Sequence, residues 1–146
     1  NTHIIFFFYH SQINRNNQLN IFAVPFPFLI TSKVFAFNYS QFAIAAQNCS
    51  SYAKGAYTGE VSAAMLASIG IKYCLVGHSE RRILFNEKST VLLDKLNLLL
   101  AHNIVPIWCC GEQFEDRSNH NFFNVIQSQL EEEIFQLNKD ELEINL

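Results

Sequence analysis

"LVGHSERR", residues 75–82, runs the apolar end of a strand into a glycine and then sets down five charged or hydrogen-bonding side chains in a row. With the residues before it, the stretch reads "KYCLVGH" (72–78), short, rich in β-formers and almost continuously apolar. A strand of that kind is buried on both faces, as in a parallel sheet. The polar residues then fall at the strand's C-terminal end, where α/β sheets place their chemistry.

The pattern repeats outward from this point. "NIFAVPF" (20–26), "FAIAAQN" (42–48) and "IVPIWCCG" (104–111) are apolar runs of the same kind. Helical stretches lie between them. Residues 62–69 begin at Ser62, a good N-cap, and stop at Gly70. Residues 89–102 carry Leu92, Leu96 and Leu99 on one face, with Asn103 suited to a left-handed cap. Residues 122–137 carry Phe122, Ile126, Leu130, Ile134 and Leu137 on one stripe, and the run Glu131, Glu132, Glu133 reads as a solvated face. Strand–helix alternation of this length argues for an α/β fold with parallel strands, either a doubly wound sheet or part of a (β/α) barrel. The strand ends then present Pro25, Gln47 with Asn48, His78, and Gly111 with Glu112.

Gly77 removes side-chain bulk where the strand must turn, so His78 projects from the strand end. If "SERR" opens a helical turn, His78 sits beside backbone N–H groups and the positive end of a helix dipole. Such a setting disfavours imidazolium. A neutral imidazole there can donate a hydrogen bond to a carbonyl or enediolate oxygen. Glu80 could orient neighbouring cations, and Arg81 and Arg82 could form ion pairs. The competing reading is a structural turn histidine beside a cluster of surface salt bridges. Ser79 falls in a partial G-x-S-x-G pattern, but Arg81 replaces the second glycine, which argues against a nucleophile elbow. His78, His102, Cys109 and Glu112 match no zinc spacing, so no metal site is expected.

Composition narrows the class. The chain has 146 residues, 49% of them apolar, enough for one domain with a real core. A net charge of −3 gives no general attraction to nucleic acid or anionic membrane. All 13 acids lie in residues 60–146, while residues 1–59 carry only the cations Arg15, Lys33 and Lys54. Four cysteines at irregular spacing (Cys49, Cys74, Cys109, Cys110) suit reduced cytosolic thiols. "HIIFFFYH" (3–10) is far shorter than the ~20 residues that span a bilayer, and it lacks the flanks of a signal peptide. The chain does not begin with Met, and a piece of a longer product is expected.

Three stretches carry a more specific likeness. "AQNCSSYAKGAYTGEVSAAML" (46–66), "GHSERRILFNE" (77–87) and "PIWCCGEQFEDR" (106–117) resemble the triosephosphate isomerase family, in its order and spacing. The likeness runs from about residue 20 to residue 143. It implies a TIM (β/α)8 barrel of which this chain holds about four strands, the second to the fifth. The expected organisation is an unassigned segment, 1–19, and a partial barrel domain, 20–146. The resemblance further implies interconversion of dihydroxyacetone phosphate and glyceraldehyde 3-phosphate in glycolysis and gluconeogenesis, in the cytoplasm, by a homodimer, with no metal or organic cofactor. The family's established account has a glutamate base, a neutral histidine electrophile and a closing lid loop. By that likeness His78 is the electrophile, with Ser79 and Glu80 supporting it. Gln47, Asn48 and residues 54–60 resemble the loop that reaches into the other subunit. Thr58 would lie near the partner's active site, Gly59 would belong to the dimer interface, and Glu60 would pair with an arginine such as the partner's Arg81. Cys109 resembles a buried cysteine near the catalytic floor, and Glu112 would stand at the mouth of the fifth strand.

The family's first-strand lysine has no counterpart in residues 1–20. "NKDELEINL" (138–146) resembles the lead-in to the sixth strand, whose end carries the family's base. The expectation is an isomerase portion that is inactive as an isolated polypeptide, against the alternative of a non-catalytic remnant or interaction module derived from the barrel.

Overall fold

The structure, a computed structural model, describes residues 5–7 and 19–137. The rest of the N-terminal segment and the expected lead-in to a sixth strand, 138–146, lie outside the described residues. The sheet has five strands in sequence order. These are β1 (Ile5–Phe7), β2 (Asn20–Val24), β3 (Phe42–Ala46), β4 (Tyr73–Val76) and β5 (Val105–Trp108). The pairs β2–β3, β3–β4 and β4–β5 are parallel, so the four apolar runs form the neighbouring parallel strands that the alternation implies. The edge strand β1 joins β2 antiparallel, with Phe6 opposite Phe22. Each parallel strand is shorter than its apolar run. Gln47, Asn48, Gly77, His78, Cys109 and Cys110 are thereby released from the ladder onto the C-terminal rim.

Six α-helices alternate with the strands among the described residues. They are α1 (Leu29–Ala36), α2 (Ala63–Ser68), α3 (Ser79–Leu84), α4 (Ser89–Ala101), α5 (Phe114–Ser118) and α6 (Phe122–Glu132). Local chemistry sets their ends. The Ser62 hydroxyl accepts the Met65 N–H at 3.2 Å and starts α2. Both α2 and α4 end in a left-handed residue, Gly70 (φ +70°) and Asn103 (φ +55°). There Ile71 N–H returns to Leu66 O at 3.0 Å, and Ile104 N–H to Leu99 O at 2.9 Å, which satisfies carbonyls the helix leaves over.

Alternation along the strands sorts side chains onto two faces. Val24, Ala46, Cys74 and Val76 face the helices, where they meet Leu66, Leu92, Leu96, Leu99 and Ile104. Ile21, Ala23, Ala45 and Leu75 face the other way, with Tyr73, Ile107 and Cys109 beside them. Leu92, Leu96 and Leu99 are completely buried, as their spacing on α4 predicts. Among the described residues, no helix is long and apolar enough to cross a membrane.

One element departs from expectation in a way that matters for the site. The apolar stripe of residues 122–137 does not run through a single helix. Instead α6 stops at Glu132, Glu133 takes φ −120° and ψ −65°, and a short 3-10 turn covers Ile134–Gln136. Glu131 and Glu132 are exposed, but Glu133 is wholly buried, which corrects its assignment to a solvated face. The physical reason is a set of donors at the sheet end that only a carboxylate satisfies.

Because α4 supplies the leucines that cover β3, β4 and β5, truncating one opens a cavity the neighbours cannot refill. Leu96→Ala is expected to lower unfolding free energy by about 2–5 kcal/mol. Urea titration followed by circular dichroism measures this, and a loss below about 1 kcal/mol would contradict the packing.

Candidate active site

The strand ends enclose a cleft of about 450 Å³. Pro25, Phe26 and Pro27 line it after β2, Gln47 and Asn48 after β3, and Leu75, His78, Glu80, Arg81, Leu84 and Phe85 from β4 and α3. Ser79 is exposed on the first turn of α3, and Thr58, Gly59 and Glu60 are exposed on the loop before α2. None of those four lines the cleft, nor do Cys109 and Glu112.

His78 caps α3. Its Nδ1 accepts the Glu80 N–H at 3.4 Å, and its carbonyl accepts the N–H groups of Arg81 and Arg82 at 2.9 and 3.1 Å. That bond to Nδ1 is open only to a ring unprotonated there, so a neutral ring in this pose carries its proton on Nε2. The Glu80 carboxylate, Oε2 3.6 Å from Nδ1, is the alternative partner once the ring is charged. The turn depends on Gly77, at φ +77°. A Cβ there would stand 2.7 Å from Arg82 Nη2 and 3.1 Å from Cys109 O.

Behind the cleft lies a buried ionic group centred on Glu87. Glu87 Oε1 accepts Lys95 Nζ at 2.6 Å and Arg81 Nε at 2.8 Å. Lys95 also donates to Asn48 Oδ1 at 2.7 Å, so α4 holds one predicted loop residue in place. Gln47 is fixed by Nε2 to Ala23 O at 3.3 Å. Lys95 is only 3% exposed although it sits on a helix. Its spacing explains this, since Lys95 lies three residues after Leu92 and four before Leu99 on the buried face.

The remaining site residues are placed as follows. Arg81 is engaged by Glu87 within this chain. Cys109 is half-buried, and burial pushes its thiol up to about 11, so it is protonated at neutral pH and not a ready nucleophile. Glu112 is held below the ordinary carboxylate range by its own backbone N–H and by hydrogen bonds from Arg117. Among the described residues, His78, His102, Cys109 and Glu112 do not gather into a metal-holding group.

The sequence as a whole is similar to proteins of one known family. A family model described as triosephosphate isomerase matches residues 8–145. The chain is 43% identical over 114 residues to triosephosphate isomerase of Porphyromonas gingivalis, covering 77% of this chain and 45% of the relative. It is 37% identical over 128 residues to that of Flavobacterium psychrophilum, covering 88% and 51%. It is 48% identical over 87 residues to that of Bacteroides fragilis, covering 60% and 35%. The chain therefore spans about half the length, or less, of the curated relatives it matches.

The buried ionic group makes stability depend on pH. Burial pushes the Glu87 carboxyl up, but hydrogen bonds and charge from Arg81 and Lys95 outweigh it and leave the pKa below the ordinary 4.5. A carboxylate depressed on folding contributes stability that is present above its unfolded value and lost as pH falls through the folded one. Urea midpoints are thus expected to drop as pH is taken below 4.5, and Glu87→Gln should flatten that acid limb. An acid limb of equal depth in the variant would contradict this.

Proposed function

Because the chain belongs to the triosephosphate isomerase family, we propose that it carries the electrophilic half of an aldose–ketose isomerase site for triose phosphates. The observation that supports this most strongly is the His78 cap. The Glu80 N–H occupies Nδ1, and the proton left on Nε2 is the one that polarises a substrate carbonyl and then stabilises the enediolate oxygen. A ring with its proton on Nε2 is a hydrogen-bond donor that can take its proton back in a later step. Arg81 and Lys95 bring positive charge behind the cleft, suited to an anionic substrate, while Glu87 keeps both cations fixed. The reaction needs no metal or organic cofactor, since its steps are proton transfers at carbon and oxygen.

Ser79 and Glu80 support His78 from the first turn of α3. Gln47, Asn48 and the segment 54–60, with the loop around them, serve a homodimer. The loop exposes the stacked pair Tyr52 and Tyr57, whose ring centroids are 3.8 Å apart, together with Thr58, Gly59 and Glu60, for contact with a second subunit. Glu60 faces an arginine of that subunit, with the partner's Arg81 the candidate. Cys109 packs and positions, and Glu112, tied to Arg117, shapes the rim. The site works in glycolysis and gluconeogenesis, in the cytoplasm. The base that removes the substrate's carbon-bound proton is the glutamate the family carries at the end of a sixth strand, and residues 1–146 by themselves turn over negligibly.

Joining residues 1–146 to the barrel remainder of a relative supplies that base and tests the assignment. In the joined enzyme, His78→Asn is expected to lower kcat by about 10²–10⁴-fold while KM moves by no more than a few-fold. An effect confined to KM would remove His78 from the electrophile role. A joined protein that folds, dimerises and is inactive even with His78 intact would favour a non-catalytic interaction module.

A further inference from the structure

The mechanism above uses His78, Glu80 and the Glu87 cluster, and leaves a second buried ionic group unused. Glu133 has no exposure, yet its carboxylate is saturated. Oε1 accepts Arg82 Nη1 at 2.7 Å, and the Ser89 hydroxyl stands 3.2 Å from it, its one hydrogen shared with the closer Glu132 Oε2 at 2.8 Å. Oε2 accepts Arg82 Nη2 at 2.9 Å and Trp108 Nε1 at 2.5 Å. Three N–H donors from α3 and β5, with the Ser89 hydroxyl of α4 beside them, thus converge on one side chain that the break after α6 delivers.

The guanidinium it holds is aimed at the turn before the histidine. Arg82 Nε donates to Gly77 O at 2.7 Å, and Nη2 donates to Cys109 O at 2.9 Å. The peptide that Arg82 grips is the one joining Gly77 to His78. The same plate of atoms ties the end of β4 to the end of β5. Its contacts are fully directional, because a guanidinium has five donors in fixed geometry and a bidentate carboxylate sets its plane. Without Glu133, a guanidinium only 17% exposed would lack its counter-charge and would have to leave the site to find water. Nothing else in this cluster then holds the Gly77 carbonyl.

We propose that Glu133 is a positioning residue for His78, acting through Arg82, which locks the Gly77–His78 peptide against the end of β5. The proposal rests on the reading of His78 as the electrophile but concerns its placement, not its chemistry. It also assigns Trp108, the only tryptophan in the chain, as an in-built reporter of the lock.

The test uses the 146-residue chain itself. Ring 15N shifts of His78 report its tautomer and hydrogen bonding, and Trp108 emission reports the carboxylate beside it. Glu133→Gln is expected to shift the His78 ring signals away from the Nε2–H pattern or broaden them, and to change Trp108 emission. The exposed-site control Glu131→Gln should leave both unchanged. Glu133→Asp, which keeps the charge, should restore the His78 signals in part. Arg82→Lys retains the ion pair but cannot hold Gly77 O and Cys109 O together, so it should perturb His78 as Glu133→Gln does. His78 signals identical to wild type in folded Glu133→Gln or Arg82→Lys protein would overturn the proposal. Should both of these variants unfold, the His78 signals are read in the charge-keeping Glu133→Asp protein, where a pattern identical to wild type would overturn the proposal. Titrating wild-type chain with dihydroxyacetone phosphate separates the underlying reading. An unresponsive His78 would count against the isomerase assignment while leaving the lock intact.

Discussion

Arg82 brings a full positive charge to the C-terminal rim of the sheet, where water reaches little of it, and the rim is organised around meeting that charge. Glu133 supplies the counter-ion, and the carbonyls of Gly77 and Cys109 take two further donors, so four of the five guanidinium N–H groups are engaged. Each partner comes from a different part of the chain. The result is a small polar knot that fixes the ends of two parallel strands and the break after α6 together. A buried ion pair is weak evidence of net stability, since desolvation offsets much of the attraction. Its value here is geometric. Every oxygen and nitrogen has one place to be, so His78 starts its helix at a fixed point.

A second polar group works beside the first on the same principle. Lys95 rises from the buried face of α4 to reach Glu87 and Asn48, and Arg81 closes on the same Glu87 oxygen. Adjacent arginines thus serve separate carboxylates, one behind the cleft and one at the strand end. Low local dielectric strengthens both groups when they are complete and penalises them when a partner is removed. Gln129 adds a neutral clamp, bonded through both amide atoms to Gly111 at 3.0 and 3.1 Å, which anchors α6 to the loop after β5. The helices therefore position the rim as well as cover the core.

The parallel strands, the caps at Ser62 and Asn103 and the leucine face of α4 were legible because each is a local pattern with one physical solution. The rim residues Gln47, Asn48 and His78 were legible as strand ends. Helix α1 was not, because "LITSKVFA" scatters its apolar residues around the helix, includes the β-branched Ile30, Thr31 and Val34, and gives no helical period. Glu133 was masked by the two acids before it, which suggested a solvated run. The signal was present all the same. Glu133 stands three residues after Leu130 and four before Leu137, on the buried stripe. Glu87 and Lys95 were missed for a related reason. A charged residue is assigned to the surface until its partner is known, and these partners lie far away in sequence or across a turn.

The central claim is that Arg82 and Glu133 act as one unit, and a double-mutant cycle with Arg82→Met and Glu133→Leu tests it directly. Each single change strands a buried charge and is predicted to cost about 3–5 kcal/mol in unfolding free energy. The double variant should cost far less than the sum, with a coupling of at least about 2 kcal/mol. Additive losses, within about 0.5 kcal/mol, would contradict the account.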